Sequence, residues 1–137
     1  MRWMFLSIFI LIICACKKDA DNAHLDSSVV YLGVWELRSG SGGLMGQVNY
    51  PSGQGNYLEI TSDSVILTYR YNRVEASTYH IEKDTTYFFG EPRLMDQLIA
   101  RDNWSFFFVA TENALTTYVG TPALDGGSAV YVRVQQN

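Results

Sequence analysis

Side chains that transfer protons are rare in this sequence. His80 is one of two histidines, and it alternates with Thr78 and Glu82, which places these three side chains on one face of an extended segment. A His–Glu pair on one face can act in acid–base chemistry. No nucleophile accompanies this pair in a recognisable catalytic arrangement, and the opposite face carries Tyr79 and Ile81, which look core-facing. We therefore interpret His80 as part of a solvated polar face and predict no catalytic residues and no enzymatic activity.

Metal and cofactor chemistry is not indicated either. A zinc site needs about four ligands at suitable spacing, whereas the folded body offers one histidine and no cysteine. The Gly-rich segment 39–55 lacks the Gly-Lys-Ser/Thr ending and the following helix of a phosphate-binding loop. The carboxylates are scattered and lie mainly at predicted turns or strand ends: Glu59, Asp63, Asp84, Asp96, Asp102 and Asp125. The sequence predicts no metal and no cofactor.

Both cysteines lie near the N-terminus, behind a short apolar run. The uncharged residues from Trp3 to Ile13 make up about half of the roughly 20 residues that a membrane-spanning helix needs, so the run predicts a signal peptide over residues 1–15. Ile13-Cys14-Ala15-Cys16 resembles a bacterial lipobox. Cys16 is the better candidate for lipidation, because cleavage before Cys14 would place the bulky Ile13 at position −1. The alternatives are an ordinary secretory peptide and a buried N-terminal segment.

The polar stretch that follows has no periodicity, and we interpret residues 16–28 as a lipidated tether. A lipid attached to Cys16 would anchor the protein to a membrane, so a membrane is its expected partner. By resemblance to Gram-negative lipoproteins, Lys17 implies transfer to the outer membrane, while Asp19 and Asp21 resemble signals for the cell surface. The expected location is therefore the outer membrane, on its periplasmic face or on the cell surface.

Size and charge limit the remaining function classes. A chain of 137 residues, 47% of them hydrophobic and 14% aromatic, suits one globular domain, which we assign to residues 29–137. The formal net charge is −4, and no basic run is longer than Lys17-Lys18. Such a chain lacks the surface that neutralises phosphates. We predict no nucleic-acid partner.

The domain has the pattern of many short strands. From Val29 onward, β-branched and aromatic residues recur in short runs between turn residues, and no apolar stripe keeps a helical period over three turns. The predicted fold is all-β, an antiparallel up-and-down β-barrel of eight or nine short strands, because closure removes exposed edges. The predicted strands are 29–38, 56–61, 64–71, 76–83, 85–90, 95–102, 104–110, 114–119 and 128–135.

Two segments indicate surfaces outside a simple core. Both faces of 104–110 are apolar, which suits a strand covered on each side or one beside an apolar partner surface. The long loop 39–55 carries Leu44 and Met45, which are costly to leave in water. This loop is either a flap over one barrel end or a plug that fills that end with its own side chains.

An ordered set of motifs resembles a known family. Gly33-Val34-Trp35 in the first strand resembles the opening motif of lipocalins, and the motifs that follow it, through Asp125-Gly126-Gly127 to Arg133, are similar in order to the small lipocalin-like lipoproteins of Gram-negative bacteria. The resemblance implies an antiparallel barrel or half-open calyx whose first and last strands pair. It also implies that Arg133 covers Trp35 at the closed end; the alternative is that Arg133 points outward.

Two functions follow from this interpretation. The first is a binding module that holds a small apolar or amphipathic ligand, or meets an envelope protein or glycan. The second is a structural or accessory envelope lipoprotein whose barrel is filled by its own aromatic side chains. The candidate ligand-binding residues are Trp35, Leu44, Met45, Tyr69, Tyr71, Phe106 and Phe108.

Overall fold

The computed structural model describes residues 30–42, 46–88, 90–120 and 126–135, and these contain nine β-strands. The strands are β1 (Gly33–Gly42), β2 (Gln47–Asn49), β3 (Tyr57–Ile60), β4 (Ser64–Tyr69), β5 (Asn72–Phe88), β6 (Glu91–Ala100), β7 (Ser105–Ala110), β8 (Ala114–Val119) and β9 (Gly127–Arg133). Within these ranges, no helix is long and apolar enough to cross a membrane. The predicted signal peptide 1–15, the tether with Cys16, and Leu44 and Met45 lie outside the described residues.

Eight strands close an antiparallel barrel. β1 and β3 to β9 pair in sequential order, and β9 pairs back with β1 through Trp35↔Arg133 and Glu36↔Val132. The short β2 adds to the far end of β1, opposite Ser39 to Ser41. The predicted all-β up-and-down barrel is confirmed, with β2 as one additional strand.

Several strand boundaries differ from the prediction: β1 begins at Gly33 rather than at residue 29, and β6 begins at Glu91 rather than at residue 95. The predicted strands 76–83 and 85–90 belong to the single strand β5, which runs from Asn72 to Phe88 with no break at Lys83-Asp84. β6 pairs across this point without a break, through Lys83↔Asp96 and Asp84↔Met95. Residues 39–42, predicted as loop, extend β1, since pairing with β9 resumes after an irregularity between Leu37 and Ser39.

The core lies inside the barrel and follows the alternation of the strands. Trp35 and Leu58 are opposite each other on β1 and β3, and both are buried. On β9 the inward residues are Tyr131 and Arg133, while Val132 between them is exposed. The other buried apolar side chains of this core are Ile60, Val65, Leu98, Ala100, Phe106, Phe108 and Leu115, whereas Met95 is buried outside it.

Candidate functional site

One end of the barrel is closed around Trp35. This side chain is fully buried, and its indole Nε1 donates a hydrogen bond to the Tyr31 carbonyl oxygen at 2.8 Å. The ring of Tyr31 lies edge-on to Phe108, with 5.4 Å between the ring centroids. The segment before β1 therefore crosses this end and packs against the core.

Arg133 joins the last strand to the same end. Its guanidinium carbon lies 4.1 Å from the centroid of the Trp35 ring, and its Nη1 donates to the Leu32 carbonyl at 2.8 Å. Gly33 has φ +137°, and a Cβ there would lie 2.5 Å from that nitrogen, which explains why a glycine precedes Trp35 by two positions. The strand pairing and the Arg133–Trp35 contact are those expected from the sequence.

The other half of the barrel holds a cavity of about 350 Å³. We call it the barrel cavity; its lining residues are Leu58, Leu67, Trp104, Ser105, Phe106, Thr117, Val119, Gly127, Ser128, Ala129 and Tyr131. None of these side chains carries a charge. Ligand pockets in proteins have volumes of about 300–1,000 Å³ and mostly apolar walls. The barrel cavity therefore has the size and the chemistry of a site for a small apolar molecule.

Few polar groups interrupt the cavity wall. Thr117 and Tyr131 are both buried, and the Thr117 hydroxyl lies close enough to the Tyr131 phenol to influence its pKa. Burial raises the pKa of the Tyr131 phenol to about 12, so that this wall stays neutral at ordinary pH. The Trp104 indole Nε1 is buried in the wall without an acceptor in the described part of the chain. An unpaired buried donor costs about 1–3 kcal/mol, so Trp104 is retained at some cost in stability.

The raised pKa of Tyr131 predicts a loss of stability in alkali. Unfolded tyrosine ionises near 10, whereas folded Tyr131 keeps its proton up to about 12. The folded state therefore binds more protons between these values, and stability falls as the pH rises through this window, by at most about 1.4 kcal/mol per pH unit for one group. Urea denaturation at increasing pH measures the decrease. The loss of stability in alkali should be smaller in Tyr131→Phe than in the wild type. Tyr87→Phe, at an exposed position, should show the same loss as the wild type. Equal losses in the two variants would contradict the assignment of this pH dependence to Tyr131.

The sequence-predicted ligand residues are distributed over the barrel. Phe106 lines the barrel cavity. Tyr69 lines a smaller cavity of about 200 Å³ that shares Leu67 and Tyr131 with it. Trp35 and Phe108 belong to the packed core. Leu44 and Met45 lie outside the described residues.

Tyr71 does not belong to the barrel interior, so its prediction as a ligand-binding residue of strand 64–71 is wrong. The strand alternation ends at Tyr69, and Tyr71 lies in the β4–β5 turn with φ +65° and 67% exposure. Its hydroxyl donates to the Gly53 carbonyl, and its N–H donates to the Gly55 carbonyl at 2.9 Å. Tyr71 thus holds the second half of the long loop. Gly55 has φ +73°, and a Cβ there would lie 2.5 Å from the Tyr71 ring.

Most residues of the cavity wall were not predicted from the sequence. Leu58 and Leu67 are opposite each other on β3 and β4, and Tyr131 lies on β9 beside Leu37. These residues are apolar and occupy alternate positions in strands that are far apart in the chain. Residues that fill a core show the same pattern, so the pattern does not distinguish a cavity wall from a packed core. The available signal was the small residues at Gly127 to Ala129, because small side chains on an inward strand leave space beside larger neighbours.

His80 and the metal-ligating side chains form no cluster in the described residues. His80 Nε2 lies 4.0 Å from a Glu82 carboxylate oxygen, and both side chains are more than half exposed. No group of three or more His, Cys, Asp or Glu side chains able to hold a metal ion occurs in the described part of the chain. Comparison of the chain with protein-family models, with curated proteins and with solved structures finds no match. The closed eight-stranded antiparallel barrel is compatible with a lipocalin-like fold.

Proposed function

We propose that this protein is a lipocalin-like lipoprotein of the outer membrane that binds a small, neutral, apolar ligand in its barrel cavity. The observation that carries the proposal is the cavity itself, about 350 Å³ within the barrel, with Leu58, Phe106 and Tyr131 in its wall. The motif order from Gly33-Val34-Trp35 to Arg133 supports the lipocalin-like assignment, together with the barrel topology. The lipobox at residues 13–16 supports the anchor.

The walls favour a neutral ligand over an anionic one such as a fatty-acid carboxylate. A carboxylate moved out of water needs a cation or several hydrogen-bond donors. No lysine, arginine or histidine lines the barrel cavity among the described residues. The polar groups in the wall are neutral, among them the hydroxyls of Thr117 and Tyr131 and the unpaired indole N–H of Trp104, so they suit a neutral ligand better than a carboxylate.

A structural or accessory role without a small ligand is the second candidate. It is favoured by the closed end, where the barrel is filled by Trp35, Phe108 and Leu115. A filled barrel gives a stable envelope domain whose contacts with partners lie outside it. The two functions differ in whether the barrel cavity is occupied in the cell.

Native mass spectrometry of the lipidated protein, purified gently from its own cell, separates the two functions. We expect a co-purifying small molecule on the wild type and its loss from Ala129→Phe, because a phenyl ring at this inward position occupies the cavity. Ala76→Phe is the matched control, since Ala76 is an exposed residue of β5. A wild type with no added mass would support the structural role, and an unchanged molecule on Ala129→Phe would place it elsewhere.

A further inference from the structure

The hairpin of β5 and β6 extends beyond the barrel as an arm. β5 pairs with β4 only up to Thr78, and β6 pairs with β7 only from Asp96 to Ile99. We call the remaining ribbon, residues 83–88 and 90–95, the arm. Its base is joined by an ion pair of 2.7 Å between Lys83 and Asp96.

The arm lies against the outside of the barrel. Phe88 packs edge-on to Tyr118 of β8, with 4.6 Å between ring centroids. Phe107 and Tyr118 are directly opposite each other on β7 and β8, and they point outward because the neighbouring Phe106 and Phe108 are in the core. The arm therefore provides the outer cover that the two apolar faces of segment 104–110 predict.

A second cavity, of about 320 Å³, lies between the arm and this outer wall. We call it the outer groove; it includes Thr85 to Tyr87 of the arm and Gln97, Phe107 and Tyr118 of the wall. Every side chain that lines it is uncharged, and several end in a hydroxyl or an amide. The outer groove thus combines neutral hydrogen-bonding groups with aromatic rings, in contrast to the apolar barrel cavity.

Two polar groups in the outer groove have unused hydrogen-bonding capacity. Thr86 is only 6% exposed, and its hydroxyl makes no hydrogen bond to another described residue. The Gln97 amide donates to Ser105 Oγ at 3.1 Å, while its carbonyl oxygen has no partner among the described residues. Among the described residues only Trp104 Nε1 is a buried side-chain atom without a partner, so the Thr86 hydroxyl and the Gln97 carbonyl oxygen reach the solvent that fills the groove. Both can therefore pair with a bound molecule that has neutral donors and acceptors.

We propose that the outer groove binds a neutral saccharide unit. A sugar ring carries hydroxyls on its rim that pair with Thr86 and Gln97, and its C–H faces pack on aromatic rings such as Tyr87 and Tyr118. A purely apolar molecule would leave the two polar groups unpaired, and a charged one would find no charged side chain among the described residues that line the groove. The outer groove and the barrel cavity share Ser105 and Phe106 of β7 in their linings, so the experiment must test the two sites with different variants.

Saturation-transfer NMR on the full lipidated chain tests the site. The probes are the methyl glycosides of glucose, galactose, mannose and N-acetylglucosamine at millimolar concentration, with glucuronate as the charged comparison. We expect transfer to the ring C–H protons of at least one neutral glycoside and none to glucuronate. Losing one neutral hydrogen bond should weaken binding about three- to tenfold in Thr86→Val and in Gln97→Ala.

Two matched variants make the result specific. Thr116→Val removes the hydroxyl of a β8 residue that does not line the outer groove, and it should leave binding unchanged. Ala129→Phe blocks the barrel cavity and should also leave saccharide binding unchanged, so the two sites are tested separately. The proposal is overturned if no neutral glycoside receives saturation, or if Thr86→Val and Gln97→Ala both bind as the wild type does.

Discussion

Trp35→Ala should lower the free energy of unfolding by about 3–5 kcal/mol, which is the cost of truncating a buried tryptophan. The indole is fully buried, donates to the Tyr31 carbonyl and lies under the Arg133 guanidinium. Because small domains are stable by only about 5–15 kcal/mol, this variant should lose a large fraction of its stability and unfold at a much lower urea concentration than the wild type. Urea denaturation followed by far-UV circular dichroism measures the change.

Arg133→Ala should cost less than Trp35→Ala but more than a cation–π contact alone, about 2–3 kcal/mol. The excess arises because the guanidinium also donates to the carbonyl oxygens of Val30, Leu32 and Glu112, which fastens the segment before β1 and the β7–β8 turn to the last strand. Arg133→Lys keeps the charge but loses the planar fork, so it should recover only part of the loss.

The exposed Tyr87 provides the control for both variants. Tyr87→Ala removes an aromatic ring that is 55% exposed, and surface substitutions usually change stability by less than about 0.5 kcal/mol. A free energy of unfolding for Trp35→Ala within about 1 kcal/mol of the wild-type value would contradict the role of Trp35 as the buried centre of the closed end. Equal losses in Trp35→Ala and Arg133→Ala would show that the guanidinium contacts, rather than the buried ring, dominate this end.

Cys16→Ser should abolish the incorporation of labelled fatty acid and release the protein from the membrane fraction. The proposed anchor depends on acyl chains that each bury many methylenes, at roughly 0.8 kcal/mol per CH₂, so its loss removes the attachment altogether. Cys14→Ser is the matched control, because residue 14 lies in the segment that cleavage removes. Metabolic labelling followed by fractionation measures both effects.

The two cysteine variants also distinguish the alternatives for the N-terminus. Loss of label in Cys14→Ser alone would overturn the assignment of cleavage between Ala15 and Cys16. Absence of label in the wild type, with the protein found free of the membrane, would favour an ordinary secretory peptide. Neither outcome would affect the barrel, whose described residues begin after this segment.

The sequence by itself determined the elements of the barrel. Alternation in segments 64–71 and 128–135, together with the turn residues between strands, predicts strands that the structure contains as β4, which ends at Tyr69, and β9, which ends at Arg133. The pairing of Trp35 with Arg133 was accessible as well, because the resemblance connects two short motifs at the ends of the domain. Strand type and sequential pairing depend on local patterns, which a single sequence displays directly.

Only the tertiary structure decided where the sites lie. Tyr71 follows the alternation of β4 in sequence, yet the turn at Arg70 and Tyr71 takes it out of the barrel, since both residues have positive φ. The barrel cavity is lined by Leu58, Phe106 and Ala129, which lie on three strands far apart in the chain. Whether such inward residues fill the interior or leave space depends on how the strands are staggered around the closed sheet and on how large and small side chains meet across it. Neither is a property of any one segment.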